Sequence, residues 1–341
     1  MGRESGTADD PLDELDRAVV HALQIHPRAS WTLVGEVLRV NPVTAARRWQ
    51  RMTAAGLAWV TAYPRLSGPR VVVSAIVEID TEPGAGERVA ETLAKDPAVV
   101  NVKLVAGGRD LVVTLHSAGL SDLTRRTTEL AIPGVRATRT QVATAVPTDG
   151  SRWRLRSLDA ESCARIEAAG RPPTRKPRPP AWDALDVRLL EQLSVDARAS
   201  ANALAEAVGA GLTTVRARMD TLLAEGVILR CDLARPLSGW PLSAVYFASV
   251  PAEHLRETSE VLASALEVRS CAVTAGPHNL VIDVWLRALD DVHAFEAHLS
   301  RRLPKLSIQD RSVVLRTVKH MGRLLDPADG HCTGVVPIRL P

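Results

Sequence analysis

Apolar residues recur along the chain with two alternating periods. Leu15, Val19 and Leu23 fall at i, i+4 and i+8, and Leu185, Leu189 and Leu193 repeat that spacing. Each set forms one stripe of a helix. A polar break follows, Pro27-Arg28-Ala29-Ser30 in the first case. Ser30 and Ser200 suit the N-cap of a second helix, which carries Leu33, Val34 and Val37, or Leu204, Ala207 and Val208. Short turns, Arg39-Val40-Asn41 and Gly209-Ala210-Gly211, lead into a third helix. Asn41-Pro42 is a cap followed by proline at the first helical position. The inward positions are Ala45, Trp49 and Met52, or Val215, Met219 and Leu222, and Gly56 and Gly226 fit the C′ position. Two helices joined by so short a turn predict a helix-turn-helix. Beyond each head the period shortens to that of strands. The first copy predicts strand 70–80, helix 87–95, strands 99–105 and 111–115, helix 120–130 and strand 135–146. The second predicts 242–250, 254–265, 268–274, 280–286, 292–303 and 307–317. Both read βαββαβ, a ferredoxin-like order.

The two halves are copies. Trp182-Asp183-Ala184-Leu185-Asp186 lies 170 positions after Leu12-Asp13-Glu14-Leu15-Asp16. At that offset Arg28-Ala29-Ser30 meets Arg198-Ala199-Ser200, Glu36 meets Glu206, Thr44 meets Thr214 and Arg48 meets Arg218. A period this long indicates a duplicated domain pair and not a solenoid. The expected organisation is a helix-turn-helix over 10–66, a ferredoxin-like domain over 70–148 and a helix plus Pro/Arg-rich linker over 149–181. A second helix-turn-helix over 182–236, a second ferredoxin-like domain over 241–320 and a tail over 321–341 complete it. The fold class is α+β, with two winged-helix-like heads and two βαββαβ domains in tandem. Five prolines in 171–180 preclude a regular helix there and predict an extended spacer. Strands such as Val71-Val72-Val73 and Val112-Val113 are apolar on both alternations, which predicts burial on both faces. The two β-domains should therefore pair within one chain, the fusion raising their effective concentration.

Composition adds exclusions. With 46% hydrophobic and 24% charged residues the chain can bury sizeable cores. No apolar run nears the roughly 18 residues of a membrane span. Residues 1–10 lack the basic and apolar regions of a signal peptide. Four cysteines, far apart, form no C-x-x-C pair and fit a reducing cytoplasm. The net charge of +3 is only mildly basic. Arginine outnumbers lysine 37 to 5 throughout, so clusters of arginine carry less information than usual. Two Tyr and two Phe argue against stacking platforms for single strands. Hydrolase elbows, zinc-binding His pairs and phosphate loops are absent, and His116, His278 and His298 stand alone. No cofactor or metal is expected.

Candidate chemistry lies on the third helices and in one turn. The outer face of the first carries Val43, Thr44, Arg47, Arg48 and Arg51; the second carries Thr213, Thr214, Arg216 and Arg218, with Asp220 where the first has Gln50. Arg reads guanine edges bidentately, and Thr contacts bases or phosphate. The bland alternative is a solvated helix face, and Asp220 would repel phosphate. The turn Gly107-Gly108-Arg109-Asp110 offers backbone N–H groups, flexible glycine and a carboxylate able to bind an ammonium group. Equally, Asp110 could simply cap backbone N–H groups.

These features together resemble the Lrp/AsnC (feast/famine) transcriptional regulators. The matching residues are Leu15-Asp16, Arg28-Ala29-Ser30, Val208-Gly209, Arg48 or Arg218, Gly226-Val227-Ile228, the 107–110 turn, and Pro133-Gly134-Val135 with Thr138 and Thr140. Ordinary members carry one such unit, so this chain resembles a tandem fusion. The resemblance implies a sequence-specific regulator on double-stranded DNA, self-associating through its β-domains. It implies a small effector, often an amino acid, held near Gly107, Arg109 and Asp110, and near Gly276, His278 and Asn279. The second copy departs from the pattern, with Gly211 in place of a Ser cap and Pro277-His278-Asn279 in place of x-x-Asp. Two alternatives remain open. One is an enzyme like sirohaem decarboxylase on the same fold, which should show a His-x-Tyr pair where this chain has Asn101-Val102-Lys103 and Ser270-Cys271-Ala272. The other is a sensor that no longer binds DNA.

Overall fold

A computed structural model describes residues 11–66, 72–170 and 182–339; the Pro/Arg-rich linker lies outside them. Head one comprises α1 (Glu14–Ile25), α2 (Trp31–Leu38), α3 (Pro42–Ala54) and β1 (Ala58–Pro64). The first β-domain follows as β2 (Val73–Thr81), α4 (Gly86–Ala94), β3 (Val99–Ala106), β4 (Leu111–Ser117), α5 (Leu120–Glu129) and β5 (Val135–Thr148). Helix α6 (Ala160–Gly170) precedes head two, which is α7 (Ala184–Val195), α8 (Ala201–Val208), α9 (Leu212–Thr221) and β6 (Val227–Leu233). The second β-domain is β7 (Leu242–Ser249), α10 (Leu255–Ser264), β8 (Val268–Ala275), β9 (Leu280–Leu286), α11 (Asp291–Arg302) and β10 (Ser307–His320). Two short strands, β11 (Arg323–Leu325) and β12 (Cys332–Val335), end the described chain. The predicted order of elements therefore stands in both copies.

The caps operate as their residue types dictate. Asp13 and Asp183 open α1 and α7 in reciprocal capping boxes with Asp16 and Asp186. Ser30 accepts from Leu33 N–H and Ser200 from Ala203 N–H. Asn41 caps α3, whereas Gly211 gives α9 no side-chain bond. Gly56 does take the left-handed conformation, at φ 67°. Gly226 does not: α9 runs on into a wide turn over Leu222–Gly226. There glycine serves a close approach, since a Cβ would lie 2.8 Å from Trp182.

The heads share one core. Leu23 and Met52 of head one lie in the same buried cluster as Leu193 and Val215 of head two, with Ile166 of α6. Strands β1 and β6 pair antiparallel, Ala58 opposite Leu233 and Pro64 opposite Val227. The duplicated Arg-Ala-Ser turns close a reciprocal clasp. Arg28 donates to the carbonyls of Ala197 and Ala199. Arg198 donates to those of Pro27, at 2.6 Å, and Ala29, at 2.9 Å.

The β-domains merge into one sheet system. Strand order β10-β3-β4-β2-β5-β8-β9-β7 closes on itself through a β7–β10 pairing. Two long strands make the closure. The first part of β5 pairs with β2, up to Val142 opposite Ala75; from Val142 onward its other edge pairs with β8. Likewise β10 pairs with β7 up to Val313, then with β3 on its other edge. Both strands run past the sequence-based ends at 146 and 317 because the extra residues pair with the other copy. The halves press a thin inner core together, including Ile76, Val112, Phe247 and Val281. Helices cover the outer faces, over Val113 in one copy and Ile282 in the other. The two-sided burial inferred from Val112-Val113 thus has its cause. Residues 321–339 are no free tail. Strand β11 pairs antiparallel with the end of β10, Ile338 is buried with Tyr63 and Val100, and Arg323 donates to the Ser194 carbonyl of α7. No described helix is long and apolar enough to cross a membrane.

Two predictions follow from this packing. Halves 1–170 and 171–341, expressed separately and mixed, should co-elute as a one-to-one complex in size-exclusion chromatography. Their persistence as separate species at micromolar concentration would contradict the paired sheet. The second concerns His21, whose Nδ1 accepts from the N–H groups of Ser157 and Leu158, both at 3.0 Å. Burial, with Arg154 and Arg156 nearby, lowers its pKa to about 4. The unfolded chain then binds more protons between about pH 6.5 and pH 4, so stability falls as pH drops through that window. His21→Asn keeps an acceptor but cannot titrate. Urea denaturation across these pH values should show a shallower loss for the variant than for the parent.

Candidate DNA-binding and effector sites

In α3 the inward residues Ala45, Trp49 and Met52 are buried, which leaves Val43, Thr44, Arg47 and Arg51 exposed on the opposite face. Val43 is 64% exposed, unusual for a β-branched residue and available to a thymine methyl group. Arg47 has no ion pair or hydrogen bond among the described residues. Arg48 is engaged: it pairs with Asp13 and, at 3.2 Å, with Asp16. This contact lowers the Asp13 pKa. Arg51 also pairs with Asp16 but keeps more of its side chain in solvent. In the second copy Arg218 makes the matching pairs, 2.7 Å to Asp183 and 3.1 Å to Asp186. The repeated Arg48 and Arg218, expected on the DNA face, are therefore pins between the third helix and the start of the first. Thr213, Thr214 and Arg216 are exposed, and Arg216 is unpaired among the described residues.

The two third helices face different surroundings. A cleft of about 1990 Å³ opens between heads and sheet, and α9 lines it with Ala217, Arg218, Asp220 and Thr221. No residue of α3 lines that cleft; head one contributes Ile25 to Arg28, Tyr63, Arg65 and Leu66. The duplication alone gave no hint of this asymmetry, because it depends on how two similar heads dock on one ring.

The effector turns are filled by the protein's own groups. Arg109 is buried, and its Nε lies 2.6 Å from Glu78. Its other nitrogens reach Asp310 at 2.6 Å and Ser312 at 2.8 Å, and the guanidinium lies 4.0 Å above the Phe247 ring. Asp110 accepts from the backbone N–H of Thr81 at 2.6 Å and from its hydroxyl at 3.0 Å. Asn279 does the same work in the second copy, pairing with both backbone groups of Val250. His278 sets its ring edge against Phe247. Gly107 and Gly276 allow the turns to abut the other copy's long strand, near Arg311 and Gln141 respectively. The residues expected to contact an effector are engaged within the protein: Arg109 clamps the two sheets, and Asp110 and Asn279 cap strand ends. Sequence reasoning missed Glu78 and Phe247, which occupy equivalent places in the two copies and receive these turns. The available signal was Glu78 itself, charged within the run Ala75 to Ile79.

Of the strand positions at which the decarboxylase reading expects His and Tyr, Asn101, Ser270 and Ala272 line the cleft, whereas Lys103 does not and pairs with Asp283 at 2.6 Å. Asn101 is committed to Met321, accepting from its N–H at 3.0 Å.

Three family models match the chain: an AsnC-type helix-turn-helix domain over 12–53, an Lrp/AsnC ligand binding domain over 74–153 and a winged helix-turn-helix DNA-binding domain over 183–228. An uncharacterised HTH-type transcriptional regulator of Pyrococcus abyssi is 32% identical over 140 residues, spanning 40% of this chain and 87% of the relative. The HTH-type transcriptional regulator FL11 of Pyrococcus horikoshii is 24% identical over 136 residues, 39% of this chain and 89% of that one. In overall architecture the chain resembles the siroheme decarboxylase NirDL, solved with an iron-uroporphyrin III analogue, at a TM-score of 0.58 over 91% of this chain and 93% of that one. Their identity is 12%, a likeness of fold alone.

The correction at Arg109 has a measurable consequence. Removing one partner of a buried ion pair costs about 3–5 kcal/mol. Arg109→Ala should lower the unfolding free energy by that order in chemical denaturation. A loss under about 0.5 kcal/mol, typical of surface positions, would restore the effector-contact reading.

Proposed function

The chain belongs to the Lrp/AsnC family of helix-turn-helix transcriptional regulators, and from that premise we propose that it reads duplex DNA chiefly through α3 of its first head. In this reading it acts in the cytoplasm, answers to a small effector such as an amino acid, self-associates beyond the intrachain pairing and is not an enzyme. One observation carries the ranking of the heads. The α3 face presents Val43, Thr44 and Arg47, which has no ion pair among the described residues, away from the cleft, whereas α9 turns part of its face into the cleft and adds Asp220. That arginine is ready to donate to a guanine edge or phosphate without first breaking an internal pair. Against the enzyme reading stands the side-chain chemistry of Asn101 and Ser270 to Ala272, which offers no imidazole–phenol pair at those positions.

A mobility-shift titration on the gene's own upstream DNA tests this. Arg47→Ala with Arg51→Ala should weaken binding by about 1–3 kcal/mol and flatten its salt dependence. Arg216→Ala should cost less. An equal or larger loss from Arg216→Ala would reverse the ranking, and no binding of duplex DNA under any effector condition would end the regulator reading.

A further inference from the structure

We propose that the cleft between the heads and the sheet ring binds an organic acid larger than a single amino acid, with the second recognition helix as one of its walls. It rests on the regulator reading only in calling that acid an effector. The cleft is bounded by the α1–α2 turn, β1, the far end of β5, α9 and β6. Its volume of about 1990 Å³ exceeds the roughly 300–1,000 Å³ of a typical drug-sized site. By contrast, the turns at 107–110 and 276–279 are occupied by Arg109 and approached closely by Gln141.

Two groups in the cleft wall lack partners. Tyr63 is 4% exposed and His116 5% exposed. The His116 Nδ1 is buried without a hydrogen bond among the described residues, and the Tyr63 hydroxyl is buried beside Asp149 and Ser151 without a hydrogen bond of good geometry to either. A buried polar atom left unsatisfied costs about 1–3 kcal/mol, a deficit that a ligand donor or acceptor would remove. Burial also lowers the His116 pKa to about 4, so the ring is neutral at pH 7. The two groups come from β1 and β4, strands of different domains, and both line this one cleft.

Charge indicates the ligand class. Arg28, Arg65 and Arg152 line the cleft without an ion pair to any described carboxylate, and Arg28 is satisfied only by backbone carbonyls. Asp149 and Asp220 are the lining carboxylates, neither ion-paired among the described residues. Arg218 pairs with Asp183 and Asp186, and Arg230 shares Asp232 with Arg269. Cations therefore outnumber anions, while Ile76, Val142, Val146 and Met321 supply apolar wall. Such a mixture suits an acid group on an extended apolar body. A ligand there would touch both the Arg28 clasp between the heads and the Ala217–Thr221 face of α9, so its binding would couple to the heads that meet DNA.

The probe is 1-anilinonaphthalene-8-sulfonate, an acid on an apolar ring body, titrated by fluorescence into the full-length protein. One saturable site is expected. Arg152→Glu, at an exposed position, should weaken it about tenfold or more, and Tyr63→Phe should weaken it severalfold. Ala143→Trp, which fills the cleft, should abolish it; if that variant fails to fold, Arg152→Glu still decides. Glu91→Gln, on the exposed face of α4 and outside the cleft, should leave probe binding unchanged. Absence of saturable binding, or binding insensitive to Arg152→Glu, overturns the site. The mobility-shift result on the same preparation separates the two readings. DNA binding without a probe site removes the cleft proposal alone; a cleft-dependent probe site without DNA binding upholds the cleft and removes the regulator reading.

Discussion

The constraint on which the rest of the molecule depends is the double duty of β5 and β10. Each is 14 residues long, and each pairs first with a neighbour in its own copy and then, on the opposite edge, with the other copy. A lone βαββαβ sheet would leave backbone edges and one apolar face exposed to water. Exchanging strand ends satisfies those backbone groups and buries the inner face in one step. Because the exchange is covalently tethered, it fixes the second domain relative to the first. The heads, joined through β1 and β6, then dock on a ring that already has a defined shape.

Duplication freed the copies to specialise once the ring had closed. Position 78 is Glu and its counterpart 247 is Phe; position 109 is Arg and its counterpart 278 is His. Two equivalent places have thus become one asymmetric clamp, with Arg109 between Glu78, Asp310 and the Phe247 ring. A symmetric pair of Arg–Glu contacts would bury four charges. The observed arrangement replaces one pair by an aromatic ring and an imidazole, which lessens the desolvation cost. Gln141, which donates to Glu78 at 2.6 Å, and Thr274, which donates to Gln141 at 3.2 Å, complete the network.

The same divergence separates the heads. Head one has a capped α3, exposed Val43 and Thr44, and in Arg47 an arginine with no ion pair among the described residues. Head two has an uncapped α9 that passes into a wide turn and lends part of its surface to the cleft. A cap lost to glycine costs only a few tenths of a kcal/mol, so such drift is tolerable while Arg198 and the shared core hold the head in place. The chain therefore carries two heads by descent but presents them to different surroundings.

Much of this was legible in the sequence, and for local reasons. Helical and strand periods, Ser30 and Asn41 as caps, Gly56 as a helix end and the offset of 170 residues specify the elements and the duplication, because they depend only on near neighbours. Residues repeated between the copies were less transparent. Arg28 and Arg198 marked a turn but not the clasp they close on each other. Arg48 looked like a DNA contact until Asp13 and Asp16 were brought beside it. Arg109 and Asp110 formed a plausible ligand turn until β2 supplied Glu78 and Thr81 and β10 supplied Asp310. In each case the deciding partner is remote in sequence or separated by a turn, and a charged side chain has the same sequence signature whether it meets solvent, ligand or a buried carboxylate. The sequence by itself determined which segments become helices and strands. Only the tertiary structure decided which charges are spent inside and which cleft is left open, because burial and partnership are properties of the packed chain.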